Sequence, residues 1–204
     1  MVKSHPHPKS SLAIPIPLPD ADLVLYPTLF GARESDRWLA ELTQTIDWQQ
    51  DWITMFGRSL PLPRLTAWYG DPGKCYTYSG ITMAPKPWTE SLLALKAQVD
   101  GVSGVTFNSV LLNLYRNGND SMGWHSDDEP ELGQNPVIGS LSFGETRRFG
   151  LRHKSQKELR HSLELTSGSF LLMQGTTQHC WQHQISKTKR TITPRINLTF
   201  RVIG

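Results

Sequence analysis

Residues 121–131 read Ser-Met-Gly-Trp-His-Ser-Asp-Asp-Glu-Pro-Glu. His125 and Asp127 stand two apart, and on an extended segment that spacing puts an imidazole and a carboxylate on one face, where they can share a metal ion. A two-histidine, one-carboxylate set suits Fe(II) and leaves coordination positions open for substrate. The second histidine must then come from elsewhere in the fold. His179 and His183 are the downstream candidates. His183 is preferred because it follows Trp181 and Gln182 and precedes a basic segment by twelve residues. His179 reads as a supporting or surface residue. His153 and His161 lie among arginines and lysines, where phosphate contact or plain solvation is expected.

The basic segment is the last strand candidate, 194–203. It alternates strictly, with Arg195, Asn197, Thr199 and Arg201 on one face and Ile196, Leu198, Phe200 and Val202 on the other. Such a strand can simply be half buried with its polar face in water. The two guanidiniums, about 20 Å apart at roughly 3.3 Å per residue, cannot clamp one carboxylate together. They can hold the two ends of a small diacid if the strand twists and the long side chains converge. Asn113 and Tyr115 share a face of the 108–116 strand candidate and offer neutral donors to the same ligand.

These groups must be positioned by a chain of 204 residues, enough for one domain with an ordinary core. The charge is uneven: residues 146–204 hold 11 Lys/Arg against 2 Asp/Glu, and residues 1–145 hold 10 against 16. A basic third beside an acidic remainder fits a polyanion-binding surface, with nucleic acid among the candidate partners, although scattered solvated charges give the same sum. Two cysteines without close spacing make no disulfide framework, and no stretch has the roughly 20 apolar residues needed to cross a membrane. A soluble monomer in the cytoplasm, or in the nucleus of a eukaryote, is expected.

Five prolines within residues 1–19 make a flexible or extended arm that includes His5 and His7. Residues 20–204 read as a single domain. Trp38, Leu39, Leu42 and Ile46 suit an amphipathic helix over about 35–48, with Ser35 as its cap. A second helix is expected over about 89–99. Between them, residues 49–88 are rich in aromatics, Gly and Pro and fit short strands and ordered loops. After residue 105 the candidates 108–116, 137–143, 147–152, 162–166, 169–174 and 194–203 are all strands, separated by turn signals such as Asn117-Gly118-Asn119-Asp120. The fold class is therefore α+β, mainly β, a sandwich or jelly roll with the helices packed on one sheet.

The sequence resembles the AlkB family of Fe(II)- and 2-oxoglutarate-dependent nucleic-acid dealkylases, most of all its duplex-acting DNA-repair subgroup. The resemblance covers about residues 50–204. It is carried by Phe56-Gly57, YTYSG at 76–80, PKPW at 85–88, NLYRNG at 113–118, HSDDE at 125–129, SFGETRRFGLRHK at 142–154, WQH at 181–183 and PRINLTFR at 194–201. It implies a double-stranded β-helix, with residues 49–88 as a nucleotide-recognition lid and 105–204 as the catalytic jelly roll. It further implies His125, Asp127 and His183 as catalytic iron ligands. Arg195 and Arg201 would bind the carboxylates of 2-oxoglutarate, helped by Asn113, Tyr115 and Asn197. The implied reaction uses O₂ and 2-oxoglutarate, releases succinate and CO₂, hydroxylates an N-alkyl carbon and frees formaldehyde from a methyl lesion such as 1-methyladenine or 3-methylcytosine in DNA. RNA or single-stranded nucleic acid is the alternative substrate.

Reaching such a base requires flipping it, at a cost of a few kcal/mol that a stacking pocket must return. Tyr76, Tyr78, Trp68 and His125 are the expected walls. The resemblance makes Glu129 the acid that accepts from the exocyclic amine, and its charge favours a cationic alkylated base. Met55 and Phe56 are the expected finger into the stack, with Arg58 and Arg148 at the substrate. Arg147, Arg152, His153, Lys154, Lys157 and Arg160 are the further expected phosphate contacts.

Overall fold

A computed structural model describes residues 12–55, 57–74, 76–78 and 81–204, with the side chains of 55, 76–78 and 81–83 left aside. The major sheet is antiparallel throughout and runs, edge to edge, Ile14–Pro15, Asp22–Tyr26, Phe170–Gln174, Ile138–Gly144, Arg195–Arg201, Ser109–Tyr115 and Leu65–Gly70. The minor sheet runs Arg160–Leu165, Arg147–His153, Trp181–Ile185 and Met122–His125. The six strands expected after residue 105 are all present within a few residues, and with Met122–His125, Trp181–Ile185 and the earlier strands of the major sheet added they form the two layers of a jelly roll.

Side-chain alternation divides the interior in two. Leu141, Phe143, Phe170, Leu172, Ile196, Leu198 and Phe200 turn to one face of the major sheet and pack with Trp38, Leu42, Leu92, Leu95 and Val99 of the helices. Leu23, Ile138, Leu171 and Met173 turn to the other face and meet Phe149, Leu151, Leu163 and Ile185 of the minor sheet. The last strand has no wet face. Its polar row points between the sheets, and Arg195 is 1% exposed.

The first helix is Ala32–Thr45 and starts earlier than its apolar spacing suggests. Ser35 is not its cap: it is buried, and its Oγ donates to Phe30 O while the Phe30 amide donates to Gly168 O. Docking of residues 30–35 on the Ser167-Gly168 turn sets the start instead. The second helix, Glu90–Ser103, is capped by Thr89, whose Oγ1 accepts from the Leu92 amide, and ends at Gly104 in the left-handed region.

Two more expectations change on the structure. Part of the Pro-rich arm is docked: Ile14–Pro15 pair with Val24 and Leu25, and the Trp181 Nε1 donates to Pro19 O. The 49–88 stretch is divided. Trp52–Met55 pairs with Arg58–Pro61 and Tyr76–Tyr78 with Ile81–Met83 as separate hairpins, while Leu65–Gly70 between them is a strand of the major sheet with Ala67 and Tyr69 in the core. Phe56 and Cys75 lie outside the described residues, as do His5 and His7 and the side chains of Met55, Tyr76 and Tyr78.

Candidate metal centre

His125 and His183 face each other across neighbouring strands of the minor sheet, their ring centroids 4.2 Å apart. Asp127 follows where the chain leaves the sheet, with Oδ2 3.8 Å from His183 Nε2. One ligand atom from each of the three lies within 4.8 Å of the others. His179 is elsewhere, its Nε2 accepting from the Asn135 amide.

Local contacts set each group for coordination. A carbonyl can only accept, so His125 Nδ1–H donates to Gly123 O at 2.8 Å, and Nε2 keeps its lone pair. Burial pushes His183 down to about 3, with His125 and Arg201 acting the same way against Asp127, so it is neutral at pH 7. It stacks on Phe149 at 5.0 Å. Burial also raises Asp127, but Arg201 and the two histidines more than reverse this and hold the carboxyl well below its usual range. The Asp127 amide donates to Oε1 of Gln178, a residue 1% exposed that the motif reading missed. A buried glutamine on a four-residue helix carries no periodic signal.

Two cavities meet at the triad and share Leu111, Met122, His125, Asp127 and Arg201. The first is a slot between the sheets, where Tyr115 lies opposite Arg195 and Asn113 opposite Asn197 in register. Arg195 donates from Nη2 to Ser142 Oγ, and its Cζ is 5.2 Å from the Tyr115 ring centroid. Its Nε and Nη1 have no hydrogen-bond acceptor among the described residues. Burial lowers the guanidinium to about 10, still fully charged at pH 7. A buried cation with spare donors is costly unless an anion completes it, so this slot fits a carboxylate. Arg64, also unforeseen, donates from Nε to Asn113 Oδ1 at 2.7 Å and leaves the Asn113 amide hydrogens for a ligand. Asn197 lines the slot differently from expectation: its Nδ2 is spent on Ser140 Oγ and Leu141 O, and it holds the strands together.

The second cavity, of about 160 Å³, is lined by Trp68, Glu129, Asp51, Arg64 and the two ligands His125 and Asp127. Glu129 Oε2 is buried there without a hydrogen-bond partner among the described residues.

A model of the 2OG-Fe(II) oxygenase superfamily matches residues 22–201. The chain belongs to that superfamily, within the AlkB family. It is 45% identical over 188 residues to the human alpha-ketoglutarate-dependent dioxygenase alkB homolog 3, covering 88% of this chain and 65% of the relative. It is 41% identical to the mouse DNA oxidative demethylase ALKBH2, covering 87% and 79%. The chain thus spans just under two thirds of the length of the homolog 3 proteins. The solved structure of OsALKBH1 superposes with a TM-score of 0.63 at 18% identity, over 88% of this chain and 96% of that one, a likeness of fold alone. Fe(II) and 2-oxoglutarate are the groups named by the superfamily, and the triad and the Arg195 slot of this oxygenase suit them.

The basic residues separate on the structure. Arg58, Arg148, Lys157 and Arg160 are exposed. Arg147 is not a phosphate contact: it is 4% exposed and donates from Nη2 to Asp120 O and Ser186 O. His153 is equally structural, buried against Trp181, with Nδ1 accepting from the Ser155 and Gln156 amides. Arg152 is held by Gln182, and Lys154 by Asp128 and Gln178 O. No helix among the described residues is long and apolar enough to cross a membrane.

Proposed function

We propose that the chain is an Fe(II)- and 2-oxoglutarate-dependent dioxygenase that removes N-alkyl groups from damaged bases in DNA, such as the methyl groups of 1-methyladenine and 3-methylcytosine, as direct-reversal repair. The observation that carries this reading is the meeting of the His125, Asp127 and His183 triad with two cavities, one ending at the underemployed Arg195 cation and the other holding a Glu129 oxygen with no hydrogen-bond partner among the described residues. The name of the ALKBH2 relative supports DNA as the substrate. When bound, Fe(II) with 2-oxoglutarate and O₂ supplies the oxidation that hydroxylates an N-alkyl carbon, with loss of formaldehyde, succinate and CO₂.

The residues do the rest. His183 presents a neutral imidazole and Asp127 a fixed carboxylate, so neither releases a proton when a metal binds at neutral pH, and the Gly123 contact of His125 Nδ1 sets its ring orientation. Arg195, with the Asn113 amide and Tyr115, receives the far carboxylate of 2-oxoglutarate, and Arg201 marks the end near Asp127. Trp68 and His125 wall the base cavity, and Glu129 favours a cationic alkylated base over the neutral repaired one. Tyr76, Tyr78, Met55 and Phe56 keep their proposed roles as pocket wall and stack finger on the resemblance alone.

The test is incubation with Fe(II), 2-oxoglutarate and matched single- and double-stranded DNA and RNA carrying 1-methyladenine or 3-methylcytosine. Restored base and formaldehyde from DNA, lost in His125→Ala, are expected. Turnover confined to RNA or to single strands selects the alternative substrate, and none on any strand overturns the proposal.

A further inference from the structure

The edge strand of the minor sheet carries a bulge. His183 and Ile185, two apart, pair with His125 and Met122, three apart, so one extra residue sits between the ladder positions. A bulge re-aims side chains. Met122 and His125 both line the inner cavities, whereas Trp124 is turned to the outer face. There it lines a hollow of about 240 Å³ with Arg148, Gly150, Arg160, His161 and Gln184. Gly150 is its floor: a Cβ there would touch Trp124 Cη2 and Gln184 Cγ, each at 3.4 Å.

The electrostatics of this face are unfinished. In register, Arg152 lies directly opposite Arg160, a like-charge pair that costs stability without an anion between. Arg148 faces Glu164, the one carboxylate of the Arg147–His153 and Arg160–Leu165 strand pair on this side. Arg152 stacks over Trp124 at 4.4 Å and is gripped by Gln182 Oε1 through Nε and Nη2, so contacts on two sides hold the Trp–Arg wall. A second hollow of about 260 Å³ shares Arg148 and Ser186 with the first and adds Lys187 and Arg190, against Glu145 and Glu164.

We infer that this outer face is a second nucleic-acid subsite. The strand whose base enters the inner cavity bends over the Met122–His125 edge and lays a neighbouring nucleotide in the outer hollow, with its base against the Trp124 edge and the Gly150 floor. Its phosphates rest on Arg148 and Arg160. Backbone anions complete the facing arginines, and the edge strand measures the step from the flipped base to its neighbour. The inference rests on the nucleic-acid reading above.

The experiment is anisotropy titration of fluorescein-labelled, unmodified single-stranded DNA of about ten nucleotides over a salt series, with wild type and R148Q/R160Q. Both arginines are exposed, and a Co(II) titration verifies an intact triad in the variant. Loss of two phosphate contacts lowers the log–log salt slope by about 1.4, at about 0.7 per single-strand phosphate, and affinity at low salt at least about tenfold. Photocrosslinking of a 5-iodouracil strand to wild type places the adduct at Trp124. Equal slopes and affinities in the two proteins overturn the inference, as does an acidic peptide displacing the DNA from wild type but not from the variant, which would give the face to a protein partner. Wild type that binds no nucleic acid overturns the parent reading itself, a different result from equal binding by both.

Discussion

Arg201 donates from Nη2 to Asp127 Oδ1 at 2.6 Å, so a cation of the last major-sheet strand fixes the carboxylate of a triad otherwise built on the minor sheet. The two sheets are joined at the site by this ion pair, and both partners are largely shielded from water. Removing one side of a buried pair leaves the other uncompensated. Arg201→Ala is expected to destabilise the metal-free protein by about 3 kcal/mol, with part of that recovered when Fe(II) neutralises Asp127. Denaturant titration with and without the metal checks both halves.

Arg195 predicts the opposite balance. Among the described residues only one of its nitrogens finds a hydrogen-bond acceptor, so Arg195→Met is expected to leave the metal-free protein as stable as wild type or more so. The same change raises the 2-oxoglutarate requirement at least about thirtyfold, equivalent to about 2 kcal/mol for a truncated charge pair. Thermal melting and uncoupled 2-oxoglutarate turnover measure the two effects. A large loss of stability in the Met variant would mean that the slot is complete without a ligand.

His183 makes the metal-free protein acid-sensitive. Its folded value of about 3 lies below the usual 6.5, so the unfolded chain binds the extra proton between those limits. Stability from this group is intact above about pH 6.5 and falls as pH drops toward 3, by up to about 1.4 kcal/mol per unit. Asp127, also depressed, adds a loss in the same direction below its ordinary value of 3.8. Denaturant midpoints from pH 7 to 4.5 should slope in wild type and flatten in His183→Leu.

Gln178 holds the Asp127 amide from a turn that also anchors Ser126, whose Oγ donates to Trp181 O. Gln178→Leu keeps the bulk and removes the acceptor. It is expected to weaken Co(II) or Fe(II) affinity about 10- to 100-fold, the usual effect of losing a group that orients a ligand, while the fold is retained. Metal titration followed by absorbance tests this, and unchanged affinity would make Gln178 a packing residue only.

The sequence by itself determined the local chemistry. The His125 and Asp127 spacing, the alternation from Arg195 to Arg201, the turn signals and six of the eight strands after residue 105 are short-range patterns, and each reappears in the structure within a few residues, whereas the strands Met122–His125 and Trp181–Ile185 were not read from the chain. What residues 195–201 did not contain was the medium on each side of the strand. Only stacking of the two sheets turned the polar row from water into a buried slot and brought Arg195 and Arg201 into one cavity. The same holds for Arg147 and His153, read as surface cations and found buried, because burial depends on what packs above a strand. Gln178, Arg64 and the bulge that parts Trp124 from His125 are long-range too. Each acts through a partner on another strand or turn, and pairing across a fold leaves no period in the chain.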